Sequence, residues 1–106
     1  MTDQEINEAV ARHLGWKTTD NDRPFVWRRP DGELIHPLPG FATDIRAAFE
    51  CLDGRQFTIR KTINSADYGM IYLCVILIGP SDGVAAGNTS LPRAICEAFL
   101  KLPEKP

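Results

Sequence analysis

The sequence predicts an α/β protein, a three-layer α/β/α sandwich built on a mainly antiparallel sheet of four strands. Two observations lead to this prediction. Residues 70–78 are rich in apolar and β-branched side chains on both faces of an extended strand, so this strand needs a covering layer on either side. Three other segments carry apolar residues at helical spacing along one side only, and helices of that kind can form the two layers.

The expected order of elements is α-β-β-α-β-β-α. The first helix begins with a capping box, in which Thr2 and Glu5 satisfy each other's backbone N–H groups, and Gly15 ends it as a left-handed cap. Two strands within residues 25–36 flank the turn at residues 30–32, where proline presets φ and glycine accepts a positive φ. This pattern predicts a β-hairpin.

The second half of the chain completes the sandwich. It is expected to contain, in order, a helix from residue 43 or 44 to the Asp53-Gly54 stop, a half-exposed strand over 56–62, the central strand over 70–78, a loop over 79–87 and a helix capped by Ser90. Residues 1–102 are therefore predicted to form one domain, and residues 103–106 a fraying tail.

Composition excludes several classes of function. A net charge of −2, without any run rich in lysine or arginine, argues against direct binding to DNA or RNA. The acidic N-terminus has no apolar core behind it, and the longest apolar run is far shorter than the roughly 20 residues of a membrane-spanning helix. Three unpaired cysteines indicate reduced, buried thiols in a cytoplasmic protein.

The chain shows no arrangement typical of catalysis. Neither a nucleophile–base pair, a carboxylate pair nor a metal-ligand spacing is present, so we expect no enzymatic activity, no cofactor and no metal. His13 and His36 stand alone, which favours structural roles. An alternative is a small cysteine-dependent enzyme that uses Cys51 or Cys96, but both thiols, like Cys74, fall inside regular elements among apolar neighbours.

Two segments remain as candidates for binding. The glycine-rich residues 79–90 follow a buried strand and precede a helix, an arrangement that can receive an anion on backbone N–H groups, although a mobile connector is the simpler explanation. Trp27-Arg28-Arg29 could stack on a base or grip a phosphate, or could simply be a solvent-facing hairpin. The predicted binding residues are Trp16, Trp27, Arg28, Arg29, Asn88, Thr89, Ser90 and Arg93.

If the partner is a small nucleotide-like ligand, its site is expected where residues 85–90 reach the third helix, shared with the Arg28/Arg29 hairpin or with a neighbouring subunit. The loop would supply backbone donors at a positive helix end, and arginine would supply bidentate contacts to an anion. A chain this small has little room for a deep pocket of its own. A homo-oligomer would therefore enclose a ligand more easily.

Four segments together resemble the phage α/β/α (ABA) sandwich domain family of small phage and prophage proteins. They are Ile6-Asn7-Glu8-Ala9-Val10 leading to Gly15-Trp16-Lys17, the Trp27 strand before a proline-containing loop, Phe41-Ala42-Thr43-Asp44-Ile45-Arg46-Ala47-Ala48-Phe49, and residues 84–98 with Asn88-Thr89-Ser90-Leu91-Pro92-Arg93 at their centre. The resemblance covers nearly the whole chain in the same order. The Arg28-Arg29 pair and positions 86–88 depart from the family pattern.

The resemblance implies an α/β/α fold and a phage context, and it brings no reaction, cofactor or catalytic residue. With no catalytic arrangement in the chain, it implies a phage accessory protein that acts by binding in the host cytoplasm. The expected action is to inhibit or sequester a host component, such as one used in defence against phage. The alternative partner is a small nucleotide-like signal molecule that the protein would bind and withdraw.

Overall fold

The structure is a computed structural model that describes residues 2–18, 26–35, 38–63 and 69–103. Three helices and six strands follow in the order α1 (Asp3–His13), β1 (Lys17–Thr18), β2 (Trp27–Arg28), β3 (Leu34–Ile35), α2 (Ile45–Glu50), β4 (Phe57–Ile63), β5 (Met70–Leu77), β6 (Gly83–Asn88) and α3 (Leu91–Leu100). His36, the first residues of the predicted hairpin and residues 104–106 of the predicted tail lie outside the described residues.

The predicted hairpin is confirmed as part of a small antiparallel sheet with the order β1-β2-β3. The backbone N–H of Arg29 donates to the Glu33 carbonyl at 2.9 Å, and the N–H of Gly32 donates to the Arg29 carbonyl at 2.9 Å. Gly32 has φ of 91°, the positive value that the turn requires. This turn fixes the position of Arg29 at the end of β2.

The larger antiparallel sheet has the order β4-β5-β6, so β5 is its central strand, as the sequence predicts. The single four-stranded sheet is not confirmed, because this sheet has three strands in the described part of the chain. Residues 83–88, expected within or beside a loop, form β6 instead. Gly83 lies so close to β5 that a Cβ there would be 2.8 Å from the Ile76 carbonyl oxygen. Glycine at this position serves a close strand approach, not a flexible loop.

The helices lie on one side of this sheet. Helix α3 packs on β5 and β6, on the face that carries the buried Cys74, Ile76 and Ala86. Helices α1 and α2 pack against α3. No helix or strand of the described residues covers the opposite face of β5, so helical layers on both faces of the sheet are not observed. The α/β class holds, with three helices and two three-stranded sheets.

The core is centred on α3, whose Ile95, Cys96 and Phe99 are at most 1% exposed. Ile6 and Val10 reach it from α1, since the stripe at helical spacing faces inward as predicted. The caps are also as predicted. Thr2 and Glu5 form both hydrogen bonds of the capping box, Asp44 caps α2 through the Arg46 N–H, and Ser90 caps α3.

The left-handed cap of α1 gives a first testable prediction. Gly15 has φ of 89°, and the next N–H, of Trp16, donates to the Ala11 carbonyl at 2.9 Å, as in a Schellman cap. Gly15→Ala should lower the free energy of unfolding by about 1–2 kcal/mol, because a Cβ at this φ crowds the following carbonyl oxygen. Urea unfolding measures the loss.

Gly79→Ala is the matched control for this prediction. Gly79 lacks a positive φ, and an added Cβ there would meet no atom within 4 Å. Its replacement should leave the free energy of unfolding unchanged within about 0.5 kcal/mol. Equal losses at the two positions would show that strain at the α1 cap is not the cause.

Candidate binding groove

Trp16 is the centre of the candidate site. It follows the cap of α1 directly, and its half-buried ring packs edge-on against the buried Phe41 with centroids 5.8 Å apart. The guanidinium of Arg29 lies 5.7 Å from the centroid of the same ring. Trp16 is therefore held between a core aromatic residue and a hairpin arginine, while part of its surface stays open.

Three adjoining hollows share Leu14, Trp16 and Arg29 in their walls. We call this continuous depression the Trp16 groove. Its two larger hollows have volumes of about 570 and 590 Å³. Most of the charged side chains along its walls are exposed, so the groove is an open surface feature and not an enclosed cavity.

The two larger hollows, which we call the mixed half and the basic half, differ in chemistry, and the third and smallest hollow is lined by Asp31, Glu50, Asp53 and Arg55. The mixed half adds Phe41 and Phe49 together with Arg46, Glu50 and Asp53. Phe49 is 40% exposed, so this half offers apolar surface between charges of both signs. The basic half is lined by further cations and by no carboxylate of the described residues, and its members beyond the shared walls are Arg12, Gly15, Lys17, Arg28 and Pro30.

The charges of the basic half are not neutralised within the part of the chain that the structure describes. Lys17 and Arg28 lie directly opposite each other in the β1–β2 pairing, so their exposed side chains share one face. Like charges at such a position are destabilising. Neither of them, nor Arg12, has a described carboxylate within 4.0 Å, whereas Arg29 has Glu33 at 3.3 Å. This half is suited to an anionic group.

Trp27, one of the predicted contact residues, is not part of the accessible surface. It is only 3% exposed and belongs to the hydrophobic core. Its ring supports the basic half from beneath, because the guanidinium of Arg12 lies 5.5 Å from its centroid. Trp27 therefore positions a cation of the groove and offers no surface to a partner.

The predicted residues at the start of α3 are engaged in local structure. The Asn88 side chain donates to the Glu97 carboxylate at 3.1 Å and accepts from the Ser90 N–H at 2.9 Å. Ser90 Oγ accepts from the Arg93 N–H at 3.4 Å as the cap of α3. Thr89 is exposed beside them. These hydrogen bonds end β6 and begin α3.

The predicted site is thus divided between the two ends of α1. Arg93 pairs with Asp3 in the first turn of this helix at 3.2 Å, whereas Trp16 follows its last turn. The 11 residues of α1 separate the two ends by about 16 Å. The structure brings Trp16, Arg28 and Arg29 together and leaves Asn88, Thr89, Ser90 and Arg93 apart from them.

Sequence reasoning missed several residues of the groove. Arg12 and Lys17 join the basic half, and Phe41, Phe49 and Arg46 join the mixed half. Arg12 could have been predicted, because it lies in the last turn of α1, shortly before Trp16 in the sequence. Lys17 comes opposite Arg28 only through strand pairing, which has no local sequence signal.

The remaining candidates for chemistry are buried. Burial raises the pKa of Cys51 and Cys96 to about 12 and that of Cys74 to about 11. Such thiols are weak nucleophiles near neutral pH. The ring of His13 is buried and packs edge-on against Phe99 at 5.1 Å. Within the described ranges, no three side chains of His, Cys, Asp or Glu group to hold a metal, and no helix is long and apolar enough to cross a membrane.

Comparison with known proteins identifies a similar fold. No protein-family model and no curated protein sequence matches the chain. The chain is similar to a phage protein from Bacillus cereus ATCC 14579, known from a 2.0 Å crystal structure, with a TM-score of 0.70 and 17% identity over 94% of this chain and 90% of that one. At this identity the likeness concerns the fold, so the chain has the fold of a phage protein.

Proposed function

We propose that this chain is a small phage-encoded protein that binds a host protein through the Trp16 groove and so inhibits or sequesters it in the host cytoplasm. The observation that carries the proposal is the meeting of three hollows at Trp16 and Arg29. Tryptophan and arginine are the residue types that most often dominate the binding energy of protein interfaces. The likeness to a phage protein supports the phage context.

The shape of the groove favours a protein over a small molecule. Sites for small molecules bury most of the ligand surface, whereas the walls of this groove are largely exposed. A partner surface that fits would place an apolar side chain between Trp16 and Phe49. It would place carboxylates against Lys17 and Arg28, where the described part of the chain supplies none. Such charge complementarity speeds association and weakens with salt.

A nucleotide-like signal molecule is the second candidate, and the stacked Trp16–Arg29 pair is the observation that favours it. A base can stack on the open part of the indole, and Lys17 and Arg28 can contact phosphate oxygens. An enzyme built on Cys51 or Cys96 has less support, because burial raises the pKa of both thiols. Neither binding proposal requires a cofactor.

The test is to immobilise this protein and capture a host protein on it. The affinity is then measured by titration with the purified partner. Trp16→Ala should weaken binding by about 30-fold or more, the effect of an interface residue worth at least 2 kcal/mol. Ile63→Ala is the control, because Ile63 is 60% exposed and lines none of the three hollows of the groove. Circular dichroism checks that both variants keep the fold. A partner that binds wild type and Trp16→Ala equally would refute the groove as its site.

A pair of charge reversals tests the basic half. Lys17→Glu should slow association and flatten the dependence of affinity on salt, because it removes a cation that faces the partner. Lys61→Glu makes the same change of net charge on β4, away from the groove, and should have little effect. A thermal-shift panel of nucleotides distinguishes the second candidate. Stabilisation by a nucleotide in wild type, lost in Lys17→Glu, would favour the signal molecule over the protein.

A further inference from the structure

The outward face of the larger sheet is aliphatic along its central strand. Ile71, Leu73, Val75 and Leu77 alternate along β5 with the residues that face α3, so they point to the opposite side. They do not belong to the hydrophobic core, and Leu77 is 45% exposed. No described helix or strand packs on them. A row of aliphatic side chains at the centre of a sheet face is typical of a surface that another layer covers.

The two flanks of this face differ in the size of their outward side chains. We call the β4 flank, which carries the larger ones, the tall flank and the β6 flank the low flank. On β4 the outward residues are Thr58, Arg60 and Thr62, and on β6 they are Gly83, Ala85 and Gly87. The side chains of β5 lean toward the low flank, since a Cβ at Gly87 would lie 3.1 Å from Ile71 Cδ1 and 3.9 Å from Leu73 Cδ1. The face is therefore tall along β4, aliphatic along β5 and low along β6.

We propose that this face is a homodimer interface, in which β5 of one copy lies over β5 of a second copy. A two-fold axis parallel to β5 sets β4 of each copy over β6 of its partner. The tall flank then faces the low flank on both sides, which keeps the two sheets at the separation of about 10 Å found in sandwiches. The face is thus complementary to itself, which is what an isologous interface requires.

The charge distribution on this face is consistent with a second copy of the chain as its partner. Arg60 is the only charged side chain among the outward residues of the three strands. In the proposed arrangement the two Arg60 side chains lie on opposite flanks, about two strand spacings or 10 Å apart, and each can extend over the glycine and alanine of the partner's β6. A face without carboxylates and with one peripheral cation offers no charge pattern for a strongly charged partner.

The size of the face indicates a weak dimer. Three strands of this length form a face about 14 Å wide and 23 Å long, or roughly 300 Å² in projection. This is below the roughly 800 Å² that each partner buries in a standard interface. We therefore expect a dissociation constant between about 1 µM and 1 mM. The three hollows of the Trp16 groove are lined by residues outside β4, β5 and β6, so the dimer leaves the groove open, and the inference does not rest on the proposed function.

Sedimentation velocity over a range of concentrations tests the dimer. Wild type should pass from monomer to dimer as concentration rises. Ala85→Lys should weaken the dimer by about tenfold or more, because it raises the low flank and places a charge opposite the partner's β4. Ala85 is exposed, so its replacement leaves the monomer core intact. Gln4→Lys adds the same charge on the exposed side of α1 and should dimerise like wild type.

Cross-linking tests the arrangement itself and does not depend on Ala85→Lys. Thr58→Cys and Ala85→Cys are prepared separately and treated with a short bis-maleimide linker, alone and mixed. The mixture should give far more cross-linked dimer than either variant alone, because β4 of one copy faces β6 of the other. A monomer at every concentration, a dimer insensitive to Ala85→Lys, or equal cross-linking of the separate variants would each overturn the proposal.

Discussion

Phe99→Ala is expected to lower the free energy of unfolding by about 3–5 kcal/mol. Phe99 is 1% exposed, its ring contacts the edge of His13 at 5.1 Å, and the guanidinium of Arg55 lies 5.6 Å from its centroid. The substitution opens a cavity where α1 and α3 meet. Domains of this size have a stability of about 5–15 kcal/mol, so roughly a fifth or more of it would be lost. Urea unfolding measures the loss.

Phe49→Ala is the control for this prediction. It removes the same atoms from a ring that is 40% exposed and contacts Phe57 at 6.0 Å. The expected loss is about 1 kcal/mol, the value of an aromatic pair at the surface. Equal losses in the two variants would contradict the placement of Phe99 at the centre of the core.

The second large effect concerns the thiols. Cys51, Cys74 and Cys96 are each no more than 2% exposed, and Cys96 Sγ also donates to the Phe41 carbonyl at 3.1 Å. A thiol reagent reaches them only when the structure opens, so labelling of the native protein should be slower than labelling in denaturant by about a thousandfold or more. Absorbance with an aromatic disulfide reagent follows the reaction.

Gln4→Cys supplies the control for thiol labelling. Gln4 is exposed on α1, so a cysteine there should react at the rate of an unhindered thiol while the native three do not. Rapid labelling of Cys51 or Cys96 in the native protein would contradict the burial of these residues. It would also revive the alternative of a cysteine-dependent enzyme.

The same thiols predict how stability depends on pH. Burial raises their pKa from 9.0 to about 11 or 12, so the native state holds its thiol protons more tightly than the unfolded state. Their contribution is fully present below pH 9 and is lost as pH rises toward 11. The loss is about 1.4 kcal/mol per pH unit for each thiol. Cys74→Ala should make the decline of stability above pH 9 shallower by that amount, and an unchanged decline would refute the assignment.

Local features could be predicted from the sequence because the atoms that decide them are close together in the chain. The capping box of Thr2 and Glu5, the positive φ of Gly15 and Gly32, and the serine cap of α3 each depend on contacts within a few residues. The apolar stripe of α3 and the central position of β5 also followed from spacing and apolar content. The sequence by itself determined these elements and the class of the fold.

Tertiary structure alone decided how the elements combine. Strand β6 pairs with β5 through backbone groups, so a run of glycine and alanine could not be told from a loop. The apolar character of residues 70–78 predicts a covering layer on both faces of this strand, but it does not specify that α3 packs on one face while no described helix or strand packs on the other. For the groove too, only residues that are neighbours in the chain could be predicted to lie together. Arg28 and Arg29 were visible as neighbours in the chain, whereas strand pairing brought Lys17 opposite Arg28, and the length of α1 carried Arg93 away from Trp16.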